Sequence, residues 1–167
     1  MLRQIFLCVM LLVLSPTGIA GQASTAIDRG EHGTLDIEPY FRNLHRPDSP
    51  NHWLLAPPGF PGNPDSVAPV FAVPVAVLRD AFRAMLLQTS GTAVAEETAA
   101  GLHVIATTRV LRFRDDIRVQ FITIGPQQST LALYSASRTG YWDLGTNRRR
   151  IEDWLARTAA LLEAPRP

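Results

Sequence analysis

The chain has 167 residues, a formal net charge of +1 and one cysteine, Cys8. Its sixteen basic side chains are all arginine, set against fifteen acids, and so balanced a charge excludes nonspecific nucleic-acid binding, which depends on summed positive charge. The complete absence of lysine matches the codon bias of a GC-rich bacterial genome.

The N-terminus reads as an export signal. Arg3 precedes an unbroken apolar run over residues 5–14, then the helix breakers Ser15, Pro16 and Gly18, then the small residues Ala20, Gly21 and Ala23. A charged start, a short apolar core and a small-residue exit make a secretory signal peptide. We assign it to residues 1–23, with cleavage after Ala23 preferred to cleavage after Ala20. The rival reading is an uncleaved N-terminal anchor, but a membrane span needs about 20 apolar residues. Cleavage would leave an exported, periplasmic or secreted domain without a membrane span. It would also remove Cys8, leaving no disulfide and no thiolate metal site. About 140 residues remain, enough for one domain held together by its own core.

Residues 24–68 read as an extended, proline-rich leader. Trp53, Leu54 and Leu55 form a short apolar stretch with strand character. Between residues 56 and 74, six prolines and two glycines exclude helix and central strand, although residues 70–73 can touch a sheet edge. The domain proper is assigned to residues 69–167. Val75, Leu78, Phe82, Met85 and Leu86 then recur at helical spacing after Pro74, and Ser90-Gly91 ends that helix.

Four strand-like runs follow, at residues 92–97, 102–114, 117–121 and 130–137. Ile117, Val119 and Phe121 alternate with Arg118 and Gln120. Leu131, Leu133 and Ser135 alternate with Ala132, Tyr134 and Ala136. Period-two patterning with short links predicts an antiparallel meander with one solvated face. Arg114-Asp115-Asp116 is expected to be the turn between the second and third strands, and residues 125–128 the turn before the fourth. A last helix carries Ile151, Trp154, Leu155, Ala159 and Leu162 on one stripe. Thr158 fills the i+7 place, and its hydroxyl is expected to bond back to the carbonyl four residues earlier. The fold class is therefore α+β. It is a four-stranded antiparallel sheet, five-stranded if Trp53–Leu55 joins, with two helices on one face.

Charge is unevenly placed. Residues 24–100 hold five arginines and nine acids, while residues 101–150 hold eight arginines and three aspartates. The second half thus presents a basic surface, or the two halves neutralise each other in the fold. The densest polar segment runs from Ser135 to Arg150. Thr146 or Asn147 is expected to cap the last helix, which puts Arg148, Arg149 and Arg150 in its first turn, the partially positive end where cations are unfavourable. Either Asp115, Asp116 or Asp143 compensates through a structural network, or an anion does. Arg148, three residues before Ile151, is expected to point inward, and Arg149 to lie in solvent.

These residues resemble a known family. The segment SASRTGYWDLGTNRRRIE, with FRDDI upstream, is similar to the C-terminal signature of the domain of unknown function 1499 family. The matching positions are Asp115, Asp116, Ser137, Arg138, Gly140, Asp143, Leu144, Gly145, Asn147, Arg148, Arg150 and Ile151. Many members carry a Pro-Asn-Cys segment upstream. This chain has Pro50-Asn51-His52, so no role for that cysteine transfers. The resemblance implies a domain and no reaction.

Other constellations are weaker. His32, His45, His52 and Asp48 lack the spacing of a metal site. His103 reads as a partly exposed strand residue. Ser135 and Ser137 lack a nucleophile elbow, and Tyr141-Trp142 is expected to lie over the helix start rather than stack on a ligand ring. No phosphate-cradling glycine loop or dinucleotide fingerprint occurs, and no cofactor is implied. The preferred reading is a noncatalytic envelope domain. It binds an anionic small molecule, lipid headgroup or envelope protein through Arg138, Asn147, Arg148 and Arg150, with Asp115, Asp116, Ser137 and Asp143 orienting them. The alternatives are a hydrolase using Asp115 or Asp116 as base with Arg138 as anion clamp, and a purely structural module.

Overall fold

Alternating apolar residues in the second half of the chain build a sheet, and the two amphipathic segments that flank it close one side. The computed structural model describes residues 38–108 and 112–164. In chain order these form α1 (Pro39–Arg42), β1 (His52–Ala56), β2 (Ser66–Val67), α2 (Val75–Leu87), β3 (Thr92–Glu97), β4 (Gly101–Thr107), β5 (Arg114–Gly125), β6 (Gln128–Ser137) and α3 (Thr146–Glu163). The strands make one six-stranded sheet in the order β2-β1-β6-β5-β4-β3. Only the β1–β2 pairing is parallel. The expected signal peptide lies outside the described residues.

The helix face follows the sequence pattern. Leu78, Phe82, Met85 and Leu86 of α2 and Ile151 and Trp154 of α3 share a core with Val104, Ile117, Val119, Leu131 and Leu133. Phe82 meets both Phe121 and Trp154 edge-on, at 5.7 and 6.0 Å between ring centroids. Each such side chain contributes about 1.5–3 kcal/mol on full burial. Thr158 is fully buried, and its hydroxyl donates to the Trp154 carbonyl at 2.7 Å as expected.

Four expectations are corrected. The sheet has six strands, because both Trp53–Leu55 and the proline-rich segment supply one. The described part of the leader, residues 38–68, buries Phe41, Leu54, Leu55, Ala56, Phe60 and Ala68. The opposite face is not uniformly wet: Phe41 and Phe60 cover Leu54, Ile122, Ala132 and Tyr134 in a second core. Asp115 and Asp116 are strand residues, paired with Ser137 and Ala136 respectively, rather than a turn.

β1 pairs with β6 only from Leu133 to Ala136. The rest of that edge of β6 is closed by the proline-rich segment, through a Phe71–Ser129 bridge and a Thr130 hydroxyl bond to the Pro69 carbonyl. Proline removes its own N–H but not its carbonyl, so such a segment can still accept.

Phe41 is 1% exposed and stands edge-on to Phe60 at 5.3 Å. Phe41→Ala should lower the unfolding free energy by about 3 kcal/mol in urea titration. A loss near zero would mean that residues 38–44 do not belong to the folding unit.

Candidate functional site

The signature segment folds into a clasp between α3, the end of β6 and the residues before β1. Its centre is Asn147, fully buried. The apolar stripe of α3, followed back from Trp154 through Ile151, reaches position 147 at the next i−4 step, so Asn147 rather than Arg148 faces the sheet. Its Nδ2 donates to the Asn51 carbonyl at 2.7 Å, to Asp143 Oδ2 at 2.7 Å and to Ser137 Oγ at 3.1 Å. Its Oδ1 accepts from Ser135 Oγ at 2.6 Å and from Arg150 at 2.8 Å.

Arg150 continues inward from Asn147. Its side chain is 11% exposed and pairs with Asp115, which is 2% exposed. The β5–β6 register sets Asp115 opposite Ser137 and Ile117 opposite Ser135, which gathers these polar groups under the first turn of α3.

The helix start is capped from within the chain. Gly145, left-handed at φ 74°, is the N-cap residue, in place of the expected Thr146 or Asn147. The capping carboxylate comes from Asp143: Oδ1 accepts the Gly145 N–H at 2.9 Å and Oδ2 accepts the Asn147 N–H at 2.8 Å. This negative group offsets the three arginines of the first turn. Arg148, expected inward, is exposed; it pairs with Glu152 at 2.7 Å and lies over the Trp53 ring at 5.1 Å. Arg149 is exposed as expected.

Asp116 points to the other face of the sheet, as alternation requires. Arg138 donates to it twice, at 2.7 and 2.8 Å, and His103 Nε2 donates at 2.7 Å. The Arg138 guanidinium holds the Asp116 carboxyl down at about 2 despite partial burial, with His103 adding to the effect. His103 is a strand residue of intermediate burial, in line with expectation, with its side chain 11% exposed. Its Nδ1 has no hydrogen-bond partner among the described residues, and Glu96 Oε1 lies 3.8 Å away. The hollow beside it holds about 30 Å³, lined by Glu96, Arg118, Tyr40 and Glu38 among others, room for roughly one water.

Neither aspartate is placed as a general base. They face opposite sides of the sheet, and each is held by an arginine. Ser135 is fully buried. The metal reading also lacks support. His52 accepts from Arg46 and donates to the Pro47 carbonyl, and no group of three metal-ligating side chains occurs among the described residues. His32 lies outside them.

What the clasp leaves outside is a loop. Tyr141, Trp142 and Leu144 are 71%, 70% and 75% exposed, so Tyr141 and Trp142 do not cover the helix start. The loop is nonetheless pinned: Asn51 Nδ2 donates to the Gly140 carbonyl, and Asp143 locks the far end. Arg138 N–H donates to the Arg114 carbonyl at 3.1 Å, which sets exposed Phe113 and Arg112 at the same end of the sheet. A groove of about 540 Å³ opens there between Ser90–Ala93 and Ile105–Thr108, lined also by Arg112 and Arg114.

Comparison with protein families decides the kinship: a family described as a protein of unknown function, domain 1499, matches residues 45–157. The chain belongs to the domain of unknown function 1499 family. In this member the signature is legible as architecture, with Asp115, Asn147 and Arg150 inside, Asp143 at the cap, Asp116 with Arg138 outside, and Tyr141-Trp142 at the tip. Among solved structures the chain is similar to the Zhui aromatase/cyclase of a Streptomyces species, at 13% identity over 56% of this chain and 84% of that one, TM-score 0.27. It is similar also to TTHA0849 from Thermus thermophilus, at 12% identity over 57% and 89%, TM-score 0.27. No curated protein matches in sequence.

Two predictions follow from the clasp. Asn147→Ala leaves several buried groups short of a partner and should cost about 3 kcal/mol, while Asp115→Asn strands a buried guanidinium and should cost about 3–5 kcal/mol; both are read by urea unfolding. For Asp116, a depressed carboxyl stabilises the fold above its ordinary value of 3.8, and that contribution disappears as pH falls toward about 2. Asp116→Asn should therefore flatten the dependence of the unfolding midpoint on pH across that interval. An unchanged slope would show that Asp116 does not carry it.

Proposed function

We propose that this chain is a noncatalytic contact domain of the cell envelope, exported by its N-terminal signal. The signature's buried polar residues act as a brace, and the braced loop with the arginines around it meets an anionic partner. One observation carries this reading: three large apolar side chains are held almost fully in solvent by a loop fixed at both ends. Soluble domains do expose single apolar residues; a fixed cluster of them marks a contact surface.

The arginines divide between the two tasks. Arg138 and Arg150 are engaged by Asp116 and Asp115, and Asn147 is buried, so these three are supports for the surface. Arg112, Arg114 and Arg149 are exposed and make no ion pair among the described residues. The hydroxyl-lined groove beside Arg112 and Arg114 suits a phosphate-like group. The hydrolase reading finds less support. Asp116 is doubly bonded to Arg138, and the hollows of about 470 and 540 Å³ are not lined by Asp115, Asp116 or His103. The structural-module reading is favoured by the full engagement of Arg150 and Asn147, but it gives no reason for the exposed loop.

Thermal unfolding separates the two. Trp142→Ala and Arg149→Gln should leave the midpoint unchanged within about 1 °C, whereas Arg138→Ala should lower it. Phosphate at tenfold over its dissociation constant should raise the wild-type midpoint by about 3 °C. It should raise that of Arg112→Gln/Arg114→Gln less. A phosphate-insensitive wild type would favour the structural module.

A further inference from the structure

We infer that the anionic partner is a lipid bilayer surface, an inference that rests on the contact-domain reading and narrows it to one occupant. Tyr141, Trp142 and Leu144 sit at the level of the headgroups, and Arg112, Arg114 and Arg149 lie over the lipid phosphates. The composition of the tip is the first argument. Tryptophan and tyrosine concentrate at membrane–water interfaces, where an apolar body and a polar edge can each find their medium.

The backbone supplies the second argument. Leu144 adopts φ 53°, a left-handed conformation that glycine or asparagine ordinarily takes and that is an outlier for a bulky residue. The Asp143 carboxylate maintains it by accepting the N–H groups at 145 and 147. A strained backbone that holds leucine 75% exposed presents that side chain to something apolar.

Charge is the third. Four acids of the signature region are spent internally, Asp115 on Arg150, Asp116 on Arg138, Asp143 on the helix cap and Glu152 on Arg148. Arg149 lies back over the loop base, 3.4 Å from where a Cβ on Gly145 would stand. Arg112, Arg114 and Arg149, which make no ion pair among the described residues, are exposed at the end that carries the apolar tip, the pairing of features found in proteins that lie on anionic membranes.

The test reads Trp142 itself, so any membrane affinity of residues 5–14 cannot imitate it. The full chain and its Trp142→Phe variant are mixed with vesicles of phosphatidylglycerol and phosphatidylcholine, and with phosphatidylcholine alone, each with brominated acyl chains. The expected result is quenching of a fluorescence component that wild type has and Trp142→Phe lacks. That quenching should occur on the anionic vesicles only, be about tenfold weaker at high salt as the arginines are screened, and fall again in Arg112→Gln/Arg149→Gln. No quenching of that component on anionic vesicles, or equal quenching on neutral ones, overturns the proposal. The unfolding midpoint with free phosphate, measured on the same samples, separates the two levels. If phosphate still shifts wild type while Trp142 is unquenched, the contact domain stands and its partner is soluble or a protein. If neither responds, both readings fall.

Discussion

The burial of one amide side chain organises the signature end of this protein. Asn147 has two donors and an acceptor with two lone pairs, and all are used between α3, β6, the Asp143 cap and the backbone at Asn51. Apolar residues could fill the same volume, but they could not fix the direction in which the chain leaves β6 and enters α3. A buried polar network tolerates few alternative arrangements, because each misplacement leaves a group unpaired in a medium of low dielectric. The two ends of the loop are positioned by this requirement.

The same requirement explains why a helix that begins with three consecutive arginines is stable. The partial positive charge at its start is met by Asp143 from the preceding turn. One arginine is neutralised beneath it by Asp115, one lies along an aromatic ring and a glutamate, and one is left to solvent. Electrostatic conflict read from composition is thus resolved residue by residue, mostly by groups within the signature itself.

Much of the fold was legible in the sequence. The period-two runs marked β5 and β6 with the correct faces, and the helical stripes marked α2 and α3, including the back-bonded Thr158. The misses have physical causes. Prolines were weighed as missing donors, yet β2 needs only two residues paired with β1, and Pro69 serves β6 through its carbonyl. Phe41, Leu54 and Phe60 carried the signal for a second core, but they lie in segments without a sustained period. At the site, Arg148 was placed inward by its i−3 relation to Ile151, while the i−4 relation of Asn147 prevailed. Nothing in the spacing showed that Asp115 and Asp116 begin a strand, and hence that neighbours in sequence serve opposite faces.

Asn51 contributes to the loop from a position 89 residues away in the chain. Its carbonyl also accepts from the β6 end and from Asn147, so the loop and the start of α3 are completed by a segment made much earlier in synthesis. The meander of β3 to β6 is built from neighbouring runs, whereas the tip loop and the start of α3 take contacts from the residue just before β1. The geometry of the tip is in this way tied to a distant part of the chain: loss of the β1–β6 pairing would remove the Asn51 contacts that hold one end of the loop.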